Sequence, residues 1–223
     1  MFINKLTKTL IIYGIISLSI IFMELVFRLS ALELPVGFGF SRVILFSLAY
    51  ASFIVLFLKI FSPVIAKTVF TFIMLCLSVF YFSQHLYHNV VEGFFSLNLL
   101  SNAGQGAGFV TTIIANFNWV HVLYFIPLIV AFVILFSRRS VKMLFDFRYE
   151  NYRVPIYMTL FAFLLMFISI QSISTTPISE ENDPYYSDQD FYDQNFSPFL
   201  SINRFGLLTY ARRDLQNLYA EPT

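Results

Sequence analysis

The run LIIYGIISLSIIFMELVFRL, residues 10–29, carries no charge until Glu24 and Arg28 near its end. As a helix rising about 1.5 Å per residue it is long enough to cross the roughly 30 Å hydrocarbon core of a bilayer. Lys5 and Lys8 precede it as they would in a secretory signal. No small-residue cleavage site follows, however, and Glu24 interrupts the end, so the segment reads as a retained signal anchor. The rest of the chain fits that reading. With 58% hydrophobic residues, 12% charged residues and a mean hydropathy of +0.73 over 223 residues, too little polar surface exists to cover a soluble globule. The net charge of +1 comes from scattered bases that form no face for a phosphate backbone, which excludes a nucleic-acid partner. Cys76 is the only cysteine, so no internal disulfide and no cysteine-based metal site can form.

Four further windows, residues 41–58, 64–84, 120–136 and 154–173, are apolar enough to cross. The expected fold is therefore all-α, a polytopic helical membrane protein with five transmembrane helices. Pro63 suits the first turn of the third span, whereas Pro127 lies inside the fourth and is expected to kink it. With the N-terminus in the cytoplasm, Lys5, Lys8, Lys59, Lys67, Arg138, Arg139, Lys142, Arg148 and Arg153 all fall inside. Only Arg28, Arg42, Arg204, Arg212 and Arg213 fall outside. Five spans then put the C-terminus outside. Residues 1–174 form the membrane domain, with a basic cytoplasmic loop at about 137–153. Residues 175–223 form an extracytoplasmic linker that opens with ISEENDPYYSDQDFYDQNF, whose acids read as a solvated, poorly packed connector.

Between the third and fourth spans, at about 85–119, lies HLYHNVVEGFFSLNLLSNAGQGAGFVTTIIANFNW, too apolar for a free loop and too irregular for another crossing. An amphipathic segment at the outer interface is the natural reading, with Val90, Val91, Phe94 and Phe95 on its apolar side and Glu92, Ser96 and Asn98 among its polar residues. Residues 109–118 make a second such segment. Gly104, Gly106 and Gly108 would hinge the two. A nucleotide loop is excluded, because no strand precedes the glycines and the phosphate-binding lysine is missing. The glycines either simply turn the chain or also turn Asn102, Gln105 and Asn116 toward lipid headgroups. Trp119 and His121 fall where an interfacial belt is expected.

The order of the spans, the stretch SLNLLSNAGQGAG, then NFNWVHVLYFIPLIVAFVILF, and finally FYDQNFSPFLSINRFGLLTYARRDLQNL together resemble the N-terminal membrane domain of the lipoteichoic acid synthase family. These are bacterial phosphoglycerol transferases of the sulfatase and alkaline phosphatase superfamily. The resemblance implies a five-helix domain in the cytoplasmic membrane that carries an extracytoplasmic catalytic domain, in cis or in trans, acting on phosphatidylglycerol. It also implies a divalent metal and a nucleophilic threonine in that catalytic domain. No counterpart of either is present in these residues, so no catalytic residue, metal ligand or cofactor is assigned, and the chain alone is expected to be inactive. The alternative is a non-catalytic membrane subunit or scaffold for a separately encoded enzyme. A transporter fits less well, since no internal repeat is visible.

Glu24 and Arg28 share a helix face four residues apart. They read either as a self-neutralising pair or, with Arg42, as contacts for an anionic lipid headgroup. His85, His88 and Glu92 have spacings that could hold a metal, but with no evident fourth ligand none is assigned. In the basic loop, Val141, Leu144 and Phe145 suggest a short surface-lying helix. The terminal SINRFGLLTYARRDLQNLYA has a partly helical apolar set that includes Phe205 and Leu208, followed by Arg212 and Arg213. In the resembled family this region joins the two domains, which makes these four residues a candidate docking surface.

Overall fold

The computed structural model describes residues 2–37, 39–96, 115–136, 145, 153–173, 187–194 and 197–219. They form helices α1 (Phe2–Ser30), α2 (Phe40–Leu58), α3 (Pro63–Val91), a 3-10 segment (Trp119–Phe125) that runs into α4 (Ile126–Phe136), α5 (Arg153–Gln171), α6 (Asp188–Gln194), α7 (Pro198–Phe205) and α8 (Leu207–Tyr219). The described residues contain no strand. Among the described residues the fold is all-helical.

Four segments, Thr7–Ser30, Phe40–Leu58, Pro63–Val91 and Trp119–Phe136, are long and apolar enough to cross a membrane. The fifth expected span corresponds to α5, whose apolar part, Ile156–Gln171, is shorter. Large apolar side chains point outward from α3 (Phe72, Leu75, Val79), α4 (Ile129, Val133, Phe136) and α5 (Leu160, Phe163, Phe167). Surface of that kind is unfavourable in water and ordinary in lipid.

α2 packs between α1 and α5, and α3 packs along α4. Small residues let them approach: Ala49, Ala51 and Ser52 on α2 and Ala162 on α5 are fully buried. The serines in these helices satisfy their hydroxyls locally, as Ser47 does on Val43 O at 2.7 Å and Ser169 on Leu165 O at 2.7 Å. Toward the basic-loop end, Ile12, Ile16 and Ile20 of α1 meet Val55, Phe70, Met74, Leu128 and Met158. Phe145 packs into this cluster against Phe70, with ring centroids 5.8 Å apart. It is a core residue and not part of a surface-lying helix; Val141 and Leu144 lie outside the described residues.

The structure corrects three further expectations. α3 continues through His85 to Val91, past residue 85 where a loop was expected to begin, and Glu92 ends the helix in the left-handed region (φ 55) and donates its N–H to His88 O. Pro127 does not kink a continuous helix. It is the second residue of α4, where the 3-10 segment gives way to α-helix and a missing N–H costs nothing. The acidic connector is not solvated throughout. Residues 188–194 form α6, which buries Phe191 and Tyr192 against Phe46, Phe205 and Ile173.

Candidate functional site

α7 and α8 lie across the end of the bundle where α1 finishes, α2 begins and α3 finishes. Gly206 joins them. Its φ of 88° and ψ of 162° belong to a region that only glycine occupies without strain. The bend exposes the first N–H groups of α8, which have no partner within the helix.

Glu24, buried in α1, meets those groups. One carboxylate oxygen accepts from Leu207 N at 3.1 Å, and the other accepts from Leu208 N at 3.2 Å and from the Tyr81 hydroxyl at 2.7 Å. One turn further along α1, Arg28 donates to Asn203 O at 2.9 Å, among the last carbonyls of α7, and to Pro35 O at 3.0 Å. Each charge thus faces the helix end of opposite partial charge, the anion at the N-terminus of α8 and the cation at the C-terminus of α7. The two do not neutralise one another, as their spacing had suggested.

Arg42, in the first turn of α2, forms an ion pair with Asp188, the first residue of α6, and Arg204 of α7 pairs with the same carboxylate. Arg212 donates to the Tyr192 hydroxyl. Arg213 donates to Tyr192 O and Asp193 O, both at 2.8 Å, and reaches the Asp193 carboxylate at 3.1 Å. Phe205 is buried among Phe46 and Tyr192, and Leu208 is half-buried. The four residues expected to form an uncovered docking surface therefore pack within this chain. They join α6, α7 and α8 to one another and to the bundle.

α3 holds the same segment from the other side. The Gln84 amide pairs with both backbone groups of Phe95, donating to its O at 3.0 Å and accepting from its N at 3.1 Å. The Ser96 hydroxyl donates to Asp214 of α8 at 2.7 Å. Burial, with the Asp214 carboxylate nearby, pushes the Tyr210 phenol up to about 12, so it remains a neutral hydroxyl at neutral pH. Behind Glu24 the polar contacts continue inward. The ring of Tyr81 stacks on Tyr124, and the Tyr124 hydroxyl lies 3.0 Å from His85 Nδ1. His85 packs against His121 at 4.3 Å between ring centroids, and His121 Nδ1 accepts the Asn118 N–H at 2.8 Å.

Of the pair expected at an interface, Trp119 is exposed and His121 is fully buried. Asn116 is exposed, while Asn102 and Gln105 lie outside the described residues. Among the described residues no three potential metal ligands gather in one place. The space bordered by Glu24, Arg28, Leu32, Phe40, Val43 and Ile202 measures about 10 Å³, enough for about one water and far below a lipid headgroup. A larger pocket of about 320 Å³ opens between the end of α3, Phe95 and α8. Sequence reasoning missed Tyr81, Gln84, Asp188, Gly206 and Asp214. Of these only Gly206 left a local signal, as a glycine interrupting a helical pattern. No family model, curated protein or solved structure matches this chain.

Proposed function

We propose that the chain crosses a bacterial cytoplasmic membrane five times, N-terminus inside and C-terminus outside, as the membrane-anchoring and lipid-presenting domain of a phosphoglycerol transferase of the lipoteichoic acid synthase kind. Its lipid is phosphatidylglycerol of the outer leaflet, and its partner is an extracytoplasmic catalytic domain. The observation that carries this reading is the fixing of α6, α7 and α8 on the bundle end through Glu24, Arg28 and Arg42. A loose tether needs no such contacts. A platform that holds an extramembrane part in constant register does. The fifth crossing is supported by Ile173, just beyond α5, which meets Phe46 and Phe191 in the docked cluster. The sidedness is supported by Lys59 and Lys67, at the end of α2 and the start of α3 on the opposite end of the bundle, and by the sequence count of bases in the connections.

Two measurements test this. Disrupting the gene in its host is expected to deplete glycerol-phosphate polymer from the envelope, read by ³¹P NMR of extracts. An impermeant maleimide is expected to label Gln216→Cys in intact cells. Undiminished polymer removes the transferase assignment, and labelling only after permeabilisation removes the sidedness.

A further inference from the structure

The pocket of about 320 Å³ between α3 and α8 lies at a definite depth. With α3 crossing the bilayer, Lys67 near its start places its ammonium among the headgroups at that end of the bundle. At about 1.5 Å per residue, Tyr87 stands about 30 Å further along the same helix, one hydrocarbon thickness away. It therefore falls at the level of the ester carbonyls, where tyrosine is favoured.

From Tyr87 the lining passes Ser83 and Phe80, three and four residues apart on one face of α3. Ser83 is exposed and continues the outward row of Phe72, Leu75 and Val79. The pocket is thus entered sideways, from the lipid-facing surface. Phe95, which meets the Tyr87 ring edge to face at 5.6 Å between centroids, and Ala211 of α8 complete the apolar walls. The volume lies at the small end of ligand pockets and suits part of one alkyl chain.

Most polar groups of the lining are engaged within the chain. The Ser83 hydroxyl donates to Val79 O at 2.6 Å, the Gln84 amide pairs with Phe95, and the Asp214 carboxylate accepts from Ser96. The Tyr87 hydroxyl makes no hydrogen bond among the described residues. At the edge of hydrocarbon such a donor gains from any acceptor the bilayer brings to it, and at this depth that acceptor is an ester carbonyl.

We propose that the pocket holds the upper part of one acyl chain of a bilayer glycerolipid, lying along Phe80 and Phe95, with its ester carbonyl accepting from the Tyr87 hydroxyl. Such a lipid touches both α3 and α8, and so ties the docked segment to the leaflet beside it. The proposal rests on α3 crossing the bilayer and not on the transferase reading.

The test titrates the whole chain, stripped of lipid in detergent, by native mass spectrometry. The two probes are a phosphatidylcholine with ester-linked chains and its ether-linked analogue of equal chain length. The first ester lipid is expected to bind roughly fivefold more tightly than the ether lipid, the worth of one hydrogen bond. Tyr87→Phe, which removes one oxygen and keeps the ring, is expected to abolish that preference. Ser83→Phe, which blocks the mouth from an exposed position, is expected to weaken the binding of both lipids. Each variant is first checked for the parent melting temperature, and the comparison of ester with ether on the unchanged chain needs neither. Equal affinity of the two lipids for the unchanged chain overturns the proposal. So does an ester preference that survives Tyr87→Phe, or undiminished binding to a folded Ser83→Phe. None of these outcomes bears on polymer synthesis, which the gene disruption reads separately.

Discussion

Glu24 and Gly206 approach so closely that a Cβ on the glycine would lie 2.9 Å from Glu24 Oε1, and equally near Val43 Cγ1. Gly206→Ala therefore meets a clash and an unfavourable backbone region together. A loss of roughly 1–3 kcal/mol in the docking of α7 and α8 is expected. Limited trypsin digestion reads it, because Arg212 and Arg213 become cleavable once α8 lifts from Tyr192 and Asp193. An unchanged digestion rate would show that the junction is not held as described.

Replacing the carboxylate separates charge from shape. Glu24→Gln keeps the volume but removes the charge and replaces with an NH₂ donor one of the two oxygens that now accept from Leu207 N, Leu208 N and the Tyr81 hydroxyl. Exchange at the Leu207 and Leu208 amides, followed by hydrogen–deuterium mass spectrometry, should accelerate strongly in Glu24→Gln. Tyr81→Phe, which removes one neutral donor and leaves the carboxylate on the helix end, should cost only about 1 kcal/mol. The two variants accelerating exchange equally would argue that the anion has no special relation to α8.

Asp188 joins α2 to α7 by accepting from both Arg42 and Arg204. Asp188→Asn leaves two guanidinium groups facing each other without their anion, so it should destabilise more than Arg42→Ala, which leaves one pair intact. A double-mutant cycle on Arg42 and Asp188 is expected to give a coupling of about 1–3 kcal/mol by thermal melting. Additive effects would mean that the pair does not hold α6 in place.

The sequence shows why the membrane helices were legible and the docked segment was not. A lipid-facing helix announces itself in composition, so the windows at residues 10–29, 41–58 and 120–136 lie close to the observed helices. α3 overran its window because His85 and His88 read as an interface, although His85 is buried against Tyr124 and His121. α6 read as solvated because its acids dominate its local composition. Of the two cations that pair with Asp188, Arg42 lies 146 residues away, beyond any local pattern. The same applies to Glu24 and Arg28, whose four-residue spacing suggested a mutual pair, while their partners in α7 and α8 are 175 to 184 residues distant.

The start of α6 should respond to acid in a defined direction. Asp190 accepts from the Ser187 hydroxyl at 2.7 Å and from the Ser187 N–H at 2.7 Å, and these bonds hold its carboxyl below the usual 3.8. A group whose folded pKa is depressed stabilises the fold above its unfolded value and loses that contribution as pH falls through the folded value. The first turn of α6 should therefore remain closed at neutral pH and through mild acid, and loosen only below about 3.8. Carboxyl ¹³C NMR of aspartate-labelled protein should place the Asp190 midpoint under that value, with Ser187 amide exchange rising over the same range. Asp190→Asn has no carboxylate to titrate, and its Ser187 exchange should lack this step. A midpoint at or above 3.8 would show that the Ser187 bonds do not form in solution.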